Sequence, residues 1–346
     1  MRKTILFFSL LLIVVFFLSS TIFAVEKKEE MELVVIMYGE ANQGTWEPAA
    51  HEALLKVQKE VPFNLSLNEN TSTQDAERII RNWAAHGADV IFAHSAVYID
   101  NLITVAKNFE NVYFIGESRG PVTLNQTDYP YRSENTPLNF VIAGDTPGEG
   151  NYLAGYAAAL MSKNGMLGIL QPFESPGLND YSNSFYFGAK EAKPDIEVKI
   201  VYLGDYIAPA ETRDAVKSLA QQGCDVIFTE LDDNSSIVEC AAQGIYCIPM
   251  YIDKSSFDPK TVLTSVVMDW SGPLGGAIEA VYNNNFAEYR KESYFRPLTV
   301  KDHSLYLGKW APTVPDEVKK AVAEVEAKII DGTLKVEKVE ESIINK

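Results

Sequence analysis

The stretch GCDVIFTELDDNSSIVECAAQGIYCIPMYID, residues 223–253, has a counterpart in GADVIFAHSAVYIDNLITVAKNFENVYFIGE, residues 87–117. In both copies a helical pattern that ends in Gly is followed by Asp-Val-Ile-Phe, a polar loop, a second helical pattern and another apolar strand. The run Asp-Val-Ile-Phe does not alternate between apolar and polar residues, which is typical of a parallel strand buried on both faces. Two such copies predict an α/β protein of two similar, Rossmann-like lobes rather than a solenoid.

The loops that follow the predicted strands are the expected place for a binding site. Open parallel sheets bind ligands beyond the carboxyl ends of their strands, and two sheet edges that face each other form a cleft. The candidate ligand-binding residues are polar or aromatic and lie in or beside such loops: Asn42, Trp46, Ser95, Tyr98, Glu117, Phe173, Phe185, Asp232 and Asp253.

Several of these candidates also fit a purely structural role. Trp46 lies beside the start of a helix predicted over residues 47–59, and Phe185 lies near the start of one predicted from about residue 183 to 192, after a loop that begins at residue 171. At such places an aromatic side chain is as often a packing residue as a ligand contact. Asp232 also fits as a cap of the helix that begins at Ser235. Asp253 likewise fits as the residue that opens a turn.

The candidate lining predicts the chemistry of a ligand. Carboxylates and amides accept hydrogen bonds from N–H and O–H groups, while flat aromatic faces hold rings by stacking. Arg119 and Arg132 lie in an irregular passage, so no cation is clearly placed to bind a carboxylate or phosphate. We therefore expect a small ligand that donates hydrogen bonds and has a planar part.

Composition and motifs exclude several classes of function. The chain has 30 basic and 47 acidic side chains, a formal net charge of −17, which argues against nucleic acid as a partner. Neither H-E-x-x-H, G-x-x-x-x-G-K-[ST] nor G-x-S-x-G occurs, and no Cys/His cluster of metal-site type is present. We expect neither an enzyme nor a metal or cofactor, although scattered catalytic residues are not excluded by motifs.

The first 24 residues predict a secretory signal peptide. A basic start, Arg2-Lys3, precedes an apolar run, and Ala24 suits the cleavage position. The alternative is a retained membrane anchor, because the apolar run approaches spanning length. No Cys follows the run, which argues against a lipoprotein. Residues 25–32 are predicted to form a short charged tether, and the protein is expected to be periplasmic or extracellular.

Three cysteines fall in the second lobe: Cys224, Cys240 and Cys247. An odd number cannot pair fully within one chain, and none forms a C-x-x-C motif. A bridge between Cys224 and Cys247 is one interpretation, and buried free thiols are the one we favour.

Short motifs in a fixed order carry a family resemblance. They are Gly44-Thr45-Trp46, DAERIIRN (residues 75–82), EGNYLAG (149–155), NSFYFGAK (183–190), LTSVVMDW (263–270) and KIIDG (328–332), together with the two copies of the repeated stretch. With these motifs the mature chain resembles the basic membrane protein family of substrate-binding proteins, which includes purine nucleoside receptors of ABC importers.

The resemblance implies the fold and the partners. It implies a type I periplasmic-binding-protein fold with parallel sheets in both lobes and three crossover segments. Residues 31–144 plus 270–293 are expected to form the N-terminal lobe, and residues 145–269 plus 294–346 the C-terminal lobe. The expected protein is a monomer that binds a purine nucleoside or nucleobase-like ligand and delivers it to a membrane permease.

The resemblance also assigns roles to four residues. Trp46 and Phe185 match the aromatic pair that holds the base, Asp253 matches the acid that binds ribose hydroxyls, and Asp232 lies near that sugar site. Two departures concern the ligand: Met268 stands where these receptors carry Lys, and Gly-Thr-Trp replaces Ser-Phe-Asn. A flavin, a sugar, or a role as a ligand-sensing regulator remain the alternatives.

Overall fold

The computed structural model describes residues 30–119 and 136–344. The predicted signal peptide, and residues 25–29 of the predicted tether, lie outside these ranges. The end of the tether was predicted wrongly, because Met31 and Glu32 belong to the first strand. Met31 pairs with Phe63 of the neighbouring strand and is buried, so its side chain adds to the core.

Twelve strands in the described ranges form two six-stranded sheets. The first lobe contains β1 (Met31–Ile36), β2 (Phe63–Asn68), β3 (Val90–Ala93), β4 (Tyr113–Ser118), β5 (Phe140–Gly144) and β11 (Phe295–Arg296). The second lobe contains β6 (Met166–Gln171), β7 (Glu197–Tyr202), β8 (Val226–Thr229), β9 (Tyr246–Tyr251), β10 (Val266–Met268) and β12 (Leu305–Leu307).

Helices cover the faces of these sheets. Associated with the first lobe are α1 (Trp46–Val57), α2 (Thr73–Ala85), the 3-10 turn Ala96–Tyr98, α3 (Ile99–Ala106), α8 (Ser271–Tyr282) and α9 (Phe286–Glu292). Associated with the second are α4 (Gly148–Met161), α5 (Pro176–Ala192), α6 (Pro209–Gln221), α7 (Ser235–Gln243) and α10 (Asp316–Ile330). Within the described ranges, no helix is long and apolar enough to cross a membrane.

The two sheets have the same strand order, which confirms the predicted two-lobed α/β fold. The orders are β2-β1-β3-β4-β5-β11 and β7-β6-β8-β9-β10-β12. The strand pairs are parallel except that β12 runs antiparallel to β10. The predicted all-parallel second sheet is therefore correct for its first five strands.

The last crossing between lobes comes later than predicted. β11 pairs with β5, with Phe295 beside Ile142 and Arg296 beside Ala143. Residues 294–296 thus belong with the first sheet rather than with the second lobe, because this short edge strand extends the ladder of β5 before the chain crosses.

Helix α5 begins at Pro176, seven residues before the predicted start at residue 183. The sequence before that point is rich in Pro, Gly, Asn, Asp and Ser and was interpreted as a loop, but Pro is well suited to the first turn of a helix. The helix packs closely on α4: a Cβ at Gly155 would lie 1.9 Å from the carbonyl oxygen of Phe185. This packing buries polar residues that sequence alone assigns to a loop.

Candidate functional site

In each lobe, an equivalent loop position lies at the point where the strand order reverses. His94, the first residue after β3, donates its backbone N–H to the carbonyl of Ile36 in β1 at 2.9 Å. Glu230, the first residue after β8, makes the same bond to Leu170 in β6 at 3.0 Å. Both side chains are fully buried. Ligands of open α/β sheets bind at such switch points, so these two residues mark the candidate site.

Aromatic side chains from both lobes meet in this cleft. The Trp46 ring stacks on His94, with centroids 4.6 Å apart and an interplanar angle of 14°. Tyr251 of the second lobe meets Trp46 edge to face at 5.2 Å, and Trp270 of the second crossing does so at 5.1 Å. These are favourable aromatic geometries: Trp46 and His94 stack face to face, while Tyr251 and Trp270 stand nearly perpendicular to Trp46. We call these four rings the aromatic wall.

Tyr251 has a backbone conformation that side chains rarely adopt. Its φ is +81°, in the left-handed region, and its buried hydroxyl donates to the carbonyl of Glu230 at 3.1 Å. Such a conformation is costly for a bulky residue and is retained where the surrounding structure enforces it, most often at functional sites. The conformation enforced in this way places the Tyr251 ring at the end of β9, against Trp46.

His94 is a neutral hydrogen-bonding group in this wall. Burial lowers its pKa to about 3, so the imidazole is uncharged at neutral pH. Its Nε2 lies 3.1 Å from the carbonyl oxygen of Trp46, which fits Nε2–H as the donor. Nδ1 is then an acceptor, and no described residue donates to it.

Four buried carboxyl groups surround the cleft: Glu47, Glu117, Asp145 and Glu230. Burial raises the pKa of Glu47 to about 7 and that of Glu230 to about 8. Burial, together with the neighbouring Asp145 carboxylate, raises the pKa of Glu117 well above its usual value. Because these groups are buried in a medium of low dielectric constant, a hydrogen bond to one of their oxygens is stronger than it would be in water.

Each of these carboxyl groups has one oxygen to spare. Glu47 accepts the N–H groups of Tyr38 and Gly39 through Oε1, both at 2.9 Å, and Glu230 accepts the Ser182 hydroxyl through Oε1 at 2.8 Å. The second oxygens of these two residues, together with Glu117 Oε1 and Asp145 Oδ1, are buried and accept no hydrogen bond from the described residues. Buried acceptors of this kind are costly unless a donor satisfies them.

Arg119 connects the two lobes at the far side of the cleft. Its Nε lies 3.3 Å from Asp145 Oδ2 and donates to the Tyr181 hydroxyl of α5 at 3.0 Å. The guanidinium also lies 5.2 Å from the centre of the Tyr181 ring. Sequence reasoning left Arg119 in an irregular passage, whereas it binds a carboxylate of the protein itself.

Three of the predicted site residues come together at the cleft. Trp46 forms part of the aromatic wall, and Glu117 is one of the buried carboxyl groups. Asp232 reaches across from the second lobe to the start of α1, where its Oδ1 accepts the N–H of Trp46 at 2.8 Å. Asp232 therefore caps a helix, as was weighed from sequence, but the helix belongs to the other lobe.

The predicted position of Phe185 is wrong. It lies in the middle of α5 rather than at its start, is fully buried, and stacks on Phe228 of β8 with centroids 4.5 Å apart. The reason is the early start of α5, which turns Phe185 into the second-lobe core. One face of its ring is therefore covered by Phe228.

Five other predicted residues have different roles. Tyr98 is fully buried and its hydroxyl donates to the carbonyl of Thr71 at 2.6 Å, because its helix packs into the first-lobe core. Ser95 caps the following 3-10 turn. Asn42 is exposed, and Phe173 lies at the surface against Tyr206.

Asp253 is the fifth, and it forms the turn that was considered as its structural role. Its Oδ1 accepts the N–H of Ser255 at 2.9 Å, and its Oδ2 accepts that of Lys309 at 3.3 Å. Met268 is likewise a buried core residue.

Sequence reasoning missed His94, Glu47, Asp145 and Glu230. A signal for two of them was present, because His94 and Glu230 occupy the same position in the two copies, two residues after Asp-Val-Ile-Phe. A polar residue at that point in both copies predicts a cleft position.

A cavity of about 460 Å³ lies apart from the cleft, at the crossings, between α8 and residues 293–304. Its carboxylates are already engaged: Asp269 pairs with Lys56 at 2.6 Å and accepts the N–H of Ser271, and Asp302 accepts that of Ser304. We therefore take the cleft, rather than this cavity, as the candidate site. Nowhere in residues 30–119 and 136–344 do three His, Cys, Asp or Glu side chains converge as a metal site would require.

Comparisons with known proteins identify the family and the fold. The family described as ABC transporter substrate-binding protein PnrA-like matches residues 31–340. A purine-binding protein of Brucella abortus is 31% identical over 268 residues, which cover 75% of this chain and 69% of that protein.

Two solved structures share the fold. A solute-binding protein of an ABC transporter system from Conexibacter woesei superposes with a TM-score of 0.74 at 19% identity, covering 90% of this chain and all of that one. A transcriptional activator of the comK gene from Bacillus halodurans does so with a TM-score of 0.72 at 21% identity, covering 88% and 99%.

Proposed function

The chain belongs to the PnrA-like family of ABC transporter substrate-binding proteins, and from this premise we propose that it binds a purine base in the cleft between its lobes. Members of this family act outside the cytoplasm and are solute-binding proteins rather than enzymes. The partners that follow are a small solute and the membrane permease that receives it.

One observation carries the choice of ligand: an aromatic wall built by both lobes stands among buried acceptors that lack donors. Trp46, His94 and Tyr251 suit a flat ring. The spare oxygens of Glu47, Glu117 and Glu230 suit the edge of such a ring, as acceptors for its N–H and amino groups when ionised and as O–H donors to its ring nitrogens when protonated. A purine base combines both properties, and the relative from Brucella abortus is named for purine binding.

The polar groups expected to hold a sugar favour a free base over a nucleoside. Asp253, matched from the resemblance to the ribose-binding acid, uses both carboxylate oxygens on backbone N–H groups of its own lobe. Met268 is buried and supplies no donor. Ribose hydroxyls would therefore meet few free partners, so adenine should bind at least as tightly as adenosine.

The decisive experiment first identifies the bound ligand and then tests the aromatic wall by replacing Trp46. The purified protein is denatured and the released small molecules are identified by mass spectrometry, and the emptied, refolded protein is titrated with adenine, adenosine, guanine and guanosine by calorimetry. Trp46→Ala should weaken binding of the preferred base by about tenfold or more, because stacking adds to the apolar area that the ring buries. Trp83→Ala, which removes a tryptophan packed on the outer first-lobe core, is the matched control.

Three outcomes would overturn the proposal. These are release of a sugar or a flavin, failure of all four purine probes to bind, and equal affinities in wild type and Trp46→Ala. A regulatory role is the second candidate, because a comK activator shares the fold. Uptake of radiolabelled adenine by cells lacking this chain separates the two: an importer predicts lost uptake, whereas a regulator acting on other genes does not.

A further inference from the structure

The N-terminus of α1 is capped by a residue from the opposite lobe. Oδ1 of Asp232 accepts hydrogen bonds from the Thr45 hydroxyl at 2.6 Å, from the Trp46 N–H at 2.8 Å and from the Thr45 N–H. The first N–H groups of any helix lack partners within it, and an Asp side chain is among the best caps. Here the cap comes from the loop after β8.

The first lobe supplies no substitute for this cap. Thr45, the residue before α1, makes no capping bond through its own side chain. Glu47 in the first turn is directed back to the N–H groups of Tyr38 and Gly39. In an open arrangement of the lobes, the N–H groups of Thr45 and Trp46 would bond to water instead of to Asp232.

The approach of Asp232 depends on a small residue. Gly44 has a φ of +74°, and a Cβ at this position would lie 2.6 Å from both Asp232 oxygens. Any larger side chain would therefore be strained and would also push the carboxylate away from α1. Both the backbone conformation and the missing side chain of Gly44 suit this contact.

We propose that Asp232 is a positioning residue that fastens the closed lobes by capping α1 across the cleft and so fixes Trp46 against the ligand. This inference rests on the proposed function in one respect, that the ligand binds between the lobes. Because Trp46 is the first residue of α1, the hydrogen bond that closes the lobes also sets the place of the aromatic ring. Closure and ring placement are thus one event.

The test compares variants of the full chain with adenine as the probe. Replacing an N-terminal cap by Ala corresponds to a loss of about two- to thirtyfold in an equilibrium constant, so Asp232→Ala should weaken adenine binding by a factor in that range. Asp232→Asn should recover most of the loss, since Asn caps helices nearly as well. Asp233→Asn is the matched control, because Asp233 caps only Ser235 of its own lobe.

A double-mutant cycle separates the cap from a direct ligand contact. Thr45→Val removes the hydroxyl donor with little change of shape. Once Asp232 is Ala, the further loss from Thr45→Val should nearly vanish, because both substitutions break the same contact. Fully additive losses would show that Asp232 acts through the ligand and not through α1, and would overturn the proposal.

Hydrogen exchange, measured on the protein as purified with its bound small molecule so that the lobes are closed, provides a readout that does not need the ligand to be identified. The Thr45 and Trp46 amides should exchange faster in Asp232→Ala than in wild type and Asp233→Asn, with the rest of α1 unchanged. If adenine binds to none of the variants, the purine assignment fails, while the exchange rates still test the cap. Unchanged exchange at both amides would overturn it.

Discussion

The side chains around the cleft have protonation states that burial controls. Glu47 and Glu230 would be ionised on a surface, but their raised pKa values keep a substantial fraction of each protonated near neutral pH. A protonated carboxyl group both donates and accepts, which lets one residue satisfy either edge of a heterocycle. Near neutral pH, Glu47 and Glu230 therefore take up protons as the protein folds.

The contribution of Glu230 to the stability of the protein should fall as pH rises, whereas the lowered pKa of His94 acts in the opposite direction below pH 6.5. The pKa of Glu230 is about 8 in the folded protein against an ordinary value of 4.5, so between these values the folded state holds a proton that the unfolded state has lost. Its stabilisation is complete below pH 4.5 and is lost as pH rises through 8. The free energy of unfolding should decrease by up to about 1.4 kcal/mol per pH unit for this proton.

Urea unfolding at pH 5.5, 6.5 and 7.5 measures the slope. Glu230→Gln should flatten it, and Glu47, with a pKa of about 7, should account for part of the remainder. Glu211→Gln, an exposed change on α6, serves as the control. A slope that is the same in wild type and Glu230→Gln would contradict the assignment.

Single residues also show where sequence reasoning succeeds. Trp46 comes after the loop that follows β1 and is the first residue of α1, so a place near the carboxyl edge of the first sheet was predictable. Phe185 was not, because its orientation depends on where α5 begins, and that is decided by packing against α4. His94 is buried by its neighbours' rings, which the local sequence does not reveal.

At the scale of elements, α5 has two polar faces that contact different parts of the molecule. Tyr181 and Ser182 point to the cleft, where they meet Arg119 and Glu230. The opposite face holds the C-terminal segment: Asn183 Nδ2 donates to the carbonyls of Val339 and Glu341, both at 2.7 Å. Asp180 Oδ1 accepts the N–H of Val339 at 2.9 Å. The buried polar residues of this helix are thus explained by two unrelated contacts.

Asn183→Ala should destabilise this attachment. The side chain is buried and bonds two carbonyl groups, so its loss should lower the free energy of unfolding by about 1–3 kcal/mol. The amide of Val339 should also exchange faster with solvent. Asn108→Ala, which removes an exposed side chain bonded within its own helical turn, should change stability by less than about 0.5 kcal/mol. Equal effects of the two variants would remove the attachment role from Asn183.

At the scale of the whole molecule, the lobes touch on both sides of the cleft. Asp232 meets α1 on one side and Arg119 meets α5 on the other, with the rings of Trp46 and Tyr251 between them. Binding should therefore favour the closed arrangement over an open one. Small-angle scattering should show a smaller radius of gyration at saturating adenine than without it.

The control is Trp46→Ala at an adenine concentration well below its dissociation constant, where the radius should stay at the ligand-free value. No change in the wild type at saturation would contradict a closing cleft.

The whole fold was more predictable than the site because the sequence contains two copies of the same structural unit, residues 87–117 and 223–253. Repetition of a helix, a buried strand, a loop and a helix fixes the lobe architecture without any knowledge of contacts, and the order of strands in the two sheets agrees. The site depends on distances between residues far apart in sequence, such as Asp232 and Thr45. No local pattern predicts that a residue caps a helix more than 180 positions away.

His94 and Glu230 hold matching places in the two sheets, yet one is an imidazole and the other a carboxylic acid. With identical side chains there, this pair would not distinguish one end of a solute from the other. The unlike pair gives the cleft a direction: one side offers the neutral acceptor nitrogen of His94 and the other the carboxyl group of Glu230. We therefore expect a solute to bind in one orientation, in which the protein can present it to a permease.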